Sequence, residues 1–341
     1  MVKFIAKRLA ISVVLLFIVT TLVFAFVHMM PGDPVLTMLG VDSNPDPVTV
    51  EKIRTELGLD QPILVQYGNY LKGIVKLDLG KSYSEKIPVV QAIASRFPRT
   101  LELAFVSLVL ACLAGIPLGI IAAVRRGKLS DLMLTTVASV GTSVPVYVLG
   151  YLLVVVFALN IFNLPIAKLP ASGFTAFSKD PAMHIQKIIL PAVTLALGVA
   201  ASIMRTTRSS MLDAMAAESI RPLRAKGLSG GKVIRKHVIR NAMIPVITII
   251  GLQLGNLIGG TVLCETVFNW PGVASLLVKA INHRDYPLIQ GCVLLIAFVS
   301  AILNLIVDII YTFIDPRMKT MYESSKSGFF RFKKRGEKKA A

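Results

Sequence analysis

The dominant pattern in the chain is a series of six long apolar runs separated by polar segments. Each run approaches the roughly 20 residues that a helix needs to cross about 30 Å of hydrocarbon. The runs lie at roughly 9–30, 101–124, 133–159, 188–204, 243–264 and 289–314. Because lipid leaves no partner for unpaired backbone groups, and the alternating strands of a barrel are missing from the pattern, the sequence predicts an all-α polytopic membrane protein with six transmembrane helices.

The polar segments between these runs set the organisation of the chain. The longest of them, 31–100, predicts two helices at 48–57 and 63–74, the first ended by Gly58 as a left-handed stop. Five regions follow in order: a short N-terminus (1–8), the first helix (9–30), the 31–100 segment, a five-helix core (101–314) that contains the 205–242 loop, and a basic tail (315–341).

Composition supports the membrane assignment and gives an orientation. The chain is 54% hydrophobic and only 16% charged, whereas soluble domains carry about 25% charged residues. Most of the 37 lysine and arginine residues lie in the N-terminus, the 125–132 loop, the 205–242 loop and the tail. The positive-inside bias then places both termini and the 205–242 loop in the cytoplasm. The net charge of +18 lacks the interleaved aromatic residues of a nucleic-acid surface, so no nucleic-acid partner is expected.

Catalytic, cofactor and metal motifs are not found in the sequence. The Gly-Lys-Ser at 80–82 resembles part of a phosphate-binding loop, but that loop needs a glycine five residues earlier, where Val75 stands. The first apolar run is too long for a signal peptide and has no cleavage site after it, which predicts a retained span. The cysteines fall in or beside apolar runs without metal-binding spacing, namely Cys112, Cys264 and Cys292.

Polar residues within or beside the spans are candidates for a transport path, because such groups usually face a bundle interior or a cavity. Gln253 and Asn256 share a face of the fifth span, and Asn304 and Asp308 share a face of the sixth. For each of them an interhelical hydrogen bond is favoured over direct contact with a substrate. On the outer loops, Glu265 and Asp285 are candidates to contact a binding protein or a substrate, or to serve the structure.

Glycines repeat every four residues in two spans, a spacing that lets helix backbones approach closely. The two sets are Gly115 and Gly119 in the second span, and Gly251, Gly255 and Gly259 in the fifth. Packing inside this chain and packing against a partner subunit both account for them.

The 205–242 loop is the most informative segment. Glu218 or Ser219 predicts the cap of a short helix that tolerates Pro222 in its first turn, and Gly227 predicts its stop. Ser229 predicts the cap of a second helix at about 232–241. Two short helices meeting at a glycine would form a rigid elbow, and the alternative is a solvated basic loop that only fixes topology.

Motifs along the whole chain resemble those of ABC-transporter permeases that import oligopeptides, dipeptides, glutathione or nickel. The elbow carries RPLRAKG at 221–227 followed by Leu228, and RNAMIP at 240–245 stands at the family's distance. Other matching segments are PGDP at 31–34, LGLDQP at 57–62, DLGKS at 78–82, PRTLEL at 98–103 and ETVFNWPG at 265–272. The chain departs from the family pattern at Pro222 and Leu223, where Thr-Ala is usual, and at Leu77, where glycine is common.

The resemblance implies a type I importer permease in a prokaryotic plasma membrane. Its partners would be a second permease, two ATPase subunits that hold ATP and Mg, and an extracytoplasmic binding protein, while this chain would bind no cofactor or metal and catalyse nothing. The residues it places in contact with the ATPase are Arg221, Arg224, Ala225, Lys226, Gly227 and Leu228. The alternative function is a secondary transporter or channel working without an ATPase. Peptide, glutathione, nickel chelate and haem-like cargo all remain open.

Overall fold

A computed structural model describes residues 2–39, 46–159, 161 and 168–314. Within these residues the regular structure is helical, apart from an isolated bridge between Lys81 and Pro88. The helices are α1 (Val2–Met29), α2 (Pro34–Leu39), α3 (Pro47–Glu56), α4 (Ile63–Val75), α5 (Val89–Val124), α6 (Leu129–Ser143), α7 (Val146–Leu153), α8 (Pro181–Ala216), α9 (Ile220–Ala225), α10 (Gly230–Val233), α11 (Ile239–Gly260), α12 (Val262–Val267), α13 (Val273–Asn282) and α14 (Tyr286–Ile314).

Five helices in the described residues are long and apolar enough to cross a membrane, and a bent pair brings the number to six. The bent pair joins α6 to α7 and its π-helical continuation Val154–Ala158 at an angle of 105°. The sequence predicts one span here, at 133–159, and does not predict the bend within it. The bend has a local cause, because Pro145 disfavours helical geometry at Val144, which is extended (φ −82°, ψ 126°).

Several helices extend well beyond the apolar runs that predicted them. α5 begins at Val89, so the last 12 residues of the predicted 31–100 segment belong to the span helix. α8 begins at Pro181, where the side chain of Asp180 accepts a hydrogen bond from the Met183 amide at 3.0 Å. In the 31–100 segment, α3 and α4 match the predicted helices to within one residue at each end, and Gly58 is left-handed (φ +68°) as predicted.

The pairing of α5 with α8 explains the first glycine repeat. A Cβ added at Gly115 would lie 2.7 Å from the Ala200 carbonyl oxygen, and one at Gly119 would lie 2.7 Å from that of Met204. The two backbones therefore approach too closely for any side chain. In the fifth span, Gly251 faces Val307 of α14, whereas nothing described lies within 4 Å of a Cβ at Gly259. In the second repeat, Gly251 therefore allows close packing inside this chain, whereas Gly259 does not contribute to such packing among the described residues.

Glu265 is buried within the chain, fully shielded from solvent (0% exposed). One carboxylate oxygen accepts from the Thr100 hydroxyl at 2.8 Å, and the other accepts from the Ser275 amide at 2.9 Å in the first turn of α13. Gly272 lies so close to this carboxylate that a side chain there would overlap it. Burial raises the pKa of Glu265, against the lowering by its hydrogen-bond donors. The sequence left Glu265 as a candidate either for an outer contact or for a structural role. Because no part of its side chain reaches the surface, the structure supports the structural role.

Asp285 is likewise 0% exposed and holds the outer segment to the core. Its Oδ2 accepts from the Ser82 hydroxyl at 2.6 Å and from the amide and hydroxyl of Ser84 at 2.8 Å each. Its Oδ1 accepts from the Leu288 amide at 3.2 Å and so caps α14. The acid that was a candidate for an external contact is therefore saturated by partners within the chain.

The neighbouring residue, Arg284, holds the other end of the outer segment. Its guanidinium donates to the Pro31 carbonyl oxygen at 2.9 Å and to the Thr37 hydroxyl at 3.0 Å. It lies over Gly32, where any side chain would collide with it. Two consecutive residues between α13 and α14 thus fix both the start and the end of the N-terminal outer segment.

We expect Asp285→Ala to lower the free energy of unfolding by about 3 kcal/mol or more, because four donors lose their buried acceptor. Glu85→Gln is the matched control: it removes a partly exposed ion pair with Lys279 in the same region, and such pairs contribute less than about 1 kcal/mol. Thermal unfolding of both variants in lipid nanodiscs measures the difference. Equal losses in the two variants would contradict this role for Asp285.

Candidate coupling surface and transport path

The elbow between α8 and α11 begins where α8 ends at Ala216 and contains the short helix α9. Pro222 lies in the first turn of α9, where a proline removes no helical hydrogen bond. The Lys226 amide donates to the Pro222 carbonyl at 3.0 Å, which closes the last turn. The predicted short helix and its proline are thus found at the predicted place.

Gly227 ends α9 in a left-handed conformation, with φ +77°. Nothing described lies within 4 Å of a Cβ added there, so space does not demand a glycine. The backbone does, since a side chain in this region costs about 1–2 kcal/mol. The predicted stop is confirmed, and its cause is the backbone conformation rather than close packing.

The apolar side of the elbow packs on the helix ends of the core. Leu223 and Leu228 are half-buried against a cluster contributed by α5, α8, α9, α10 and α11. The buried members of this cluster are Ala123, Met211, Ile220, Val233, Val238 and Ala242. Leu223, one of the departures from the family pattern, therefore anchors the elbow. This packing gives the elbow a fixed position, unlike a freely solvated loop.

The opposite side of the elbow is open. Ala225, Lys226 and Gly227, at the end of α9, are exposed. The side chains of Arg221 and Arg224 lie outside what the structure describes, and their contacts stay predictions. Two small residues and one lysine, exposed on an anchored base, are suited to contact with another protein.

The second helix of the elbow differs from the prediction. It does not end near 241 but continues from α10 through a π-helical turn, Ile234–Val238, into α11. Together these segments form 31 residues of continuous helix, Gly230–Gly260, about 46 Å long at 1.5 Å per residue. The apolar run resumes directly after the basic stretch, so no signal ended the helix there. A displacement of the elbow would act on this whole helix.

Two polar contacts that sequence reasoning did not identify tie helices together at the two ends of the bundle. At the elbow end, Asp131 of α6, 5% exposed, accepts two bonds from the guanidinium of Arg208 of α8 at 2.7 and 2.8 Å. At the outer end, His184 of α8 contacts Glu102 of α5 at 3.0 Å. A signal for the first was present in the sequence: Asp131 is a lone acid beside the basic 125–128 turn.

The four path candidates fall into two groups. Gln253 donates to the Ser202 hydroxyl at 3.0 Å, and Asp308 pairs with Arg8 of α1 at 2.9 Å, so both have partners within the chain. Asn256 and Asn304 are exposed on α11 and α14. Exposed amides on membrane helices are unfavourable in lipid, so these two need a polar environment outside this chain.

Metal and thiol chemistry finds no site in the described residues. They contain no group of three or more His, Cys, Asp or Glu residues that could hold a metal ion. Cys112, Cys264 and Cys292 are free, and burial raises the pKa of the Cys264 thiol.

The sequence profile of the family described as "binding-protein-dependent transport system inner membrane component" matches residues 115–320. The profile of the N-terminal part of the same type of membrane component matches residues 1–104. Together they cover the elbow, the spans and the outer segment.

Curated relatives extend along nearly the whole chain. The glutathione transport system permease protein GsiC of Escherichia coli (strain K12) is 42% identical over 319 residues, which cover 94% of this chain and 99% of that protein. The dipeptide transport system permease protein DppB of the same strain is 39% identical over 337 residues, with the same coverage of both chains. An inward-facing structure of the MetNI methionine ABC transporter has a TM-score of 0.54 at 16% identity and covers 66% of this chain and 97% of that chain, a likeness of fold alone.

We expect Arg208→Lys to destabilise the elbow end of the bundle by about 1 kcal/mol, because a lysine cannot reproduce the two parallel bonds to Asp131. Arg205→Lys is the control on the same helix, since Arg205 makes one exposed bond to Thr142, and its effect should stay within about 0.5 kcal/mol. Thermal unfolding combined with proteolysis of the 125–128 turn checks this. Protection of that turn unchanged in Arg208→Lys would refute the role.

Proposed function

This chain belongs to the family of binding-protein-dependent transport system inner membrane components, and from that membership we propose how it couples to its motor and which way it faces. It is a multi-pass inner-membrane permease subunit of an ABC importer. The relatives support this function over a secondary transporter or channel that works without an ATPase. The proposals below concern the coupling residues, the partners, the cargo and the path.

The elbow is the docking element for an ATPase subunit. The observation that carries this proposal is the combination of an exposed tip at Ala225, Lys226 and Gly227 with a buried base that packs on α5 and α8. A partner that pushes on the tip meets a fixed body instead of a yielding loop. Because α10 continues through a π-helical turn into α11, the push reaches the spans along one continuous helix.

ATP and Mg are held by separate ATPase chains, which act on this permease and on a second permease subunit. An extracytoplasmic binding protein delivers the cargo. The names of the relatives, a glutathione transport permease and a dipeptide transport permease, support peptides or related small solutes as that cargo. Haem-like and nickel-chelate cargo have no comparable support among these relatives.

Both termini and the elbow face the cytoplasm. The excess of lysine and arginine in the 205–242 loop and in the terminal segments supports this orientation. The ion pair between Arg8 and Asp308 supports placing the start of α1 and the end of α14 on one side of the membrane. Asp308 therefore acts as a helix-to-helix contact, and the predicted path role passes to the exposed amides.

Asn256 and Asn304 line the path or its interface with the second permease. The face that carries them includes Gly255, where an added Cβ would lie 3.6 Å from the Asn304 side-chain oxygen. The two amides thus belong to neighbouring positions on α11 and α14. Both amides are exposed in the single chain, and an interface with a second permease would cover them.

We expect Gly227→Ala to uncouple ATP hydrolysis from uptake, because alanine disfavours the left-handed stop by about 1 kcal/mol, roughly a fivefold change in the equilibrium. Gly230→Ala is the matched control, since it also adds a methyl group in open space but at a residue without positive φ. Uptake and ATPase rates are measured in the reconstituted complex. Normal uptake by Gly227→Asp, which adds a charged side chain at the exposed tip, would count against the docking role.

We expect Asn256→Ala to slow uptake while leaving the stability of the chain nearly unchanged, because its amide has no described partner inside the chain. Gln253→Ala, three residues earlier, should instead lower stability by about 0.6 kcal/mol through the lost bond to Ser202. Uptake rates and thermal unfolding of both variants separate the two effects. Unchanged uptake in both variants would remove α11 from the path.

A further inference from the structure

A polar cleft lies on the outer side of the molecule, away from the elbow. Its main cavity, about 320 Å³, lies between the end of α1, the turn from α3 to α4, α4 itself and the start of α14. A second cavity of about 240 Å³ adjoins it and shares the side chains of His28 and Gln66. The main cavity is at the lower end of the size range of small-molecule sites, about 300–1,000 Å³.

One wall of the cleft has its hydrogen bonds already satisfied. Gln66 donates its amide to the carbonyl oxygens of Leu59 at 3.3 Å and Gln61 at 2.8 Å, which fixes the orientation of the amide. Its oxygen then faces Nε2 of His28 at 3.1 Å, while Nδ1 of His28 lies 2.8 Å from the Phe24 carbonyl oxygen. His28 and Gln66 are therefore fixed parts of the wall and offer little to a ligand.

Other groups that line the main cavity have no partner within the described chain. The Tyr70 hydroxyl is buried and makes no hydrogen bond there. Burial and the nearby Tyr67 raise the pKa of Tyr70, so its hydroxyl stays protonated and can donate. Gln290 also lines the cavity, and its side-chain amide has no hydrogen bond to any described residue. A buried polar group without a partner, such as the Tyr70 hydroxyl, is uncommon in folded chains and indicates a missing partner.

One charge at this cavity is also uncompensated. Glu56 is exposed at the end of α3 and lines the cavity, and it forms no ion pair within the described residues. In the adjoining cavity, by contrast, Asp33 and Arg54 pair with each other. The free functions of the cleft are therefore a carboxylate at its mouth, a phenol donor, and an amide that both donates and accepts.

We propose that this cleft is a second peptide-binding site, outside the path on α11 and α14, for short peptides with a free α-amino group. The ammonium group lies at Glu56, and the peptide amides bond to Tyr70 and Gln290. The carboxylate, the hydroxyl and the amide that have no partner inside the chain are then each matched by a complementary group of the peptide. The proposal relies on the proposed function only in the choice of peptides as the ligand class.

The probe is trialanine, with N-acetyl-trialanine as its neutral counterpart, added to the permease complex in nanodiscs without binding protein and without ATP. Titration calorimetry and thermal unfolding report binding. Trialanine should bind and raise the unfolding temperature. The acetylated peptide should bind about tenfold more weakly, because it loses a charge-assisted bond. Glu56→Gln should weaken trialanine binding by the same factor and abolish the preference for the free amino group.

Tyr70→Phe separates binding from a structural role because its two effects have opposite signs. Removing an unsatisfied hydroxyl should leave the empty protein equally stable or more stable, yet it should weaken trialanine binding by about fivefold. Tyr67→Phe is the matched control on the same helix. Its hydroxyl bonds to Thr21 at 2.7 Å and does not line the cleft, so this variant should lose stability and keep its affinity.

Two outcomes overturn the proposal. Either trialanine fails to bind the wild-type complex, or it binds equally well to the wild type, Glu56→Gln and Tyr70→Phe, which would locate it elsewhere. ATP-driven uptake by the same preparations is measured with binding protein present. Intact uptake with either overturning outcome removes the second site alone, whereas absence of ATP-driven uptake in the wild type would contradict the proposed function independently.

Discussion

The buried carboxylate of Asp285 is the contact on which the outer half of the molecule depends. It joins the loop before α5 to the first turn of α14, while Arg284 beside it holds the turn that follows α1. The outer segment has little apolar core of its own, since no residue of α3 or α4 is buried. Its position is set by polar contacts at its two ends, by the packing of Leu59, Leu79 and Ile87 on the core, and by the contacts of α4 with α1.

The elbow end is built differently, on apolar packing and a continuous helix. Its half-buried leucines sit on the ends of α5, α8 and α11, and the Asp131–Arg208 pair fixes the neighbouring turn. The helix that leaves the elbow is also the helix that carries Gln253 and Asn256. A motion at Gly230 reaches these residues through one helix, interrupted only by a π-helical turn and by Pro245. The π-helical turn lies in the half of that helix nearer the elbow, and Pro245 lies at its midpoint.

The sequence predicted the spans well because their signal is local: an apolar run long enough to cross lipid is visible without any partner. The same is true of Gly58 and Gly227, whose left-handed stops follow from the chain around them. Glu265 and Asp285 could not be placed, since an acid in an outer loop reads as exposed until Thr100, Ser82 and Ser84 are known to surround it. Leu77 is instructive in another way. It adopts φ +57° at the position where the resemblance predicted glycine, so the backbone has the left-handed conformation despite the side chain, at a cost of about 1–2 kcal/mol.

Both at the outer end of the molecule and at the level of the spans, the polar residues divide into two groups with different roles. At the outer end, the buried acids Glu265 and Asp285 are satisfied internally, whereas Glu56 and the Tyr70 hydroxyl, which line one cleft, have no partner among the described residues. At the level of the spans, Gln253 and Asp308 are satisfied internally, and Asn256 and Asn304 are left exposed. A polar residue with a hydrogen-bond partner inside the chain maintains the fold. A polar residue without such a partner, at a position where this is energetically unfavourable, is available to bind another molecule. By that criterion the asparagines, Tyr70 and Gln290 carry the functional information, whereas the buried acids do not.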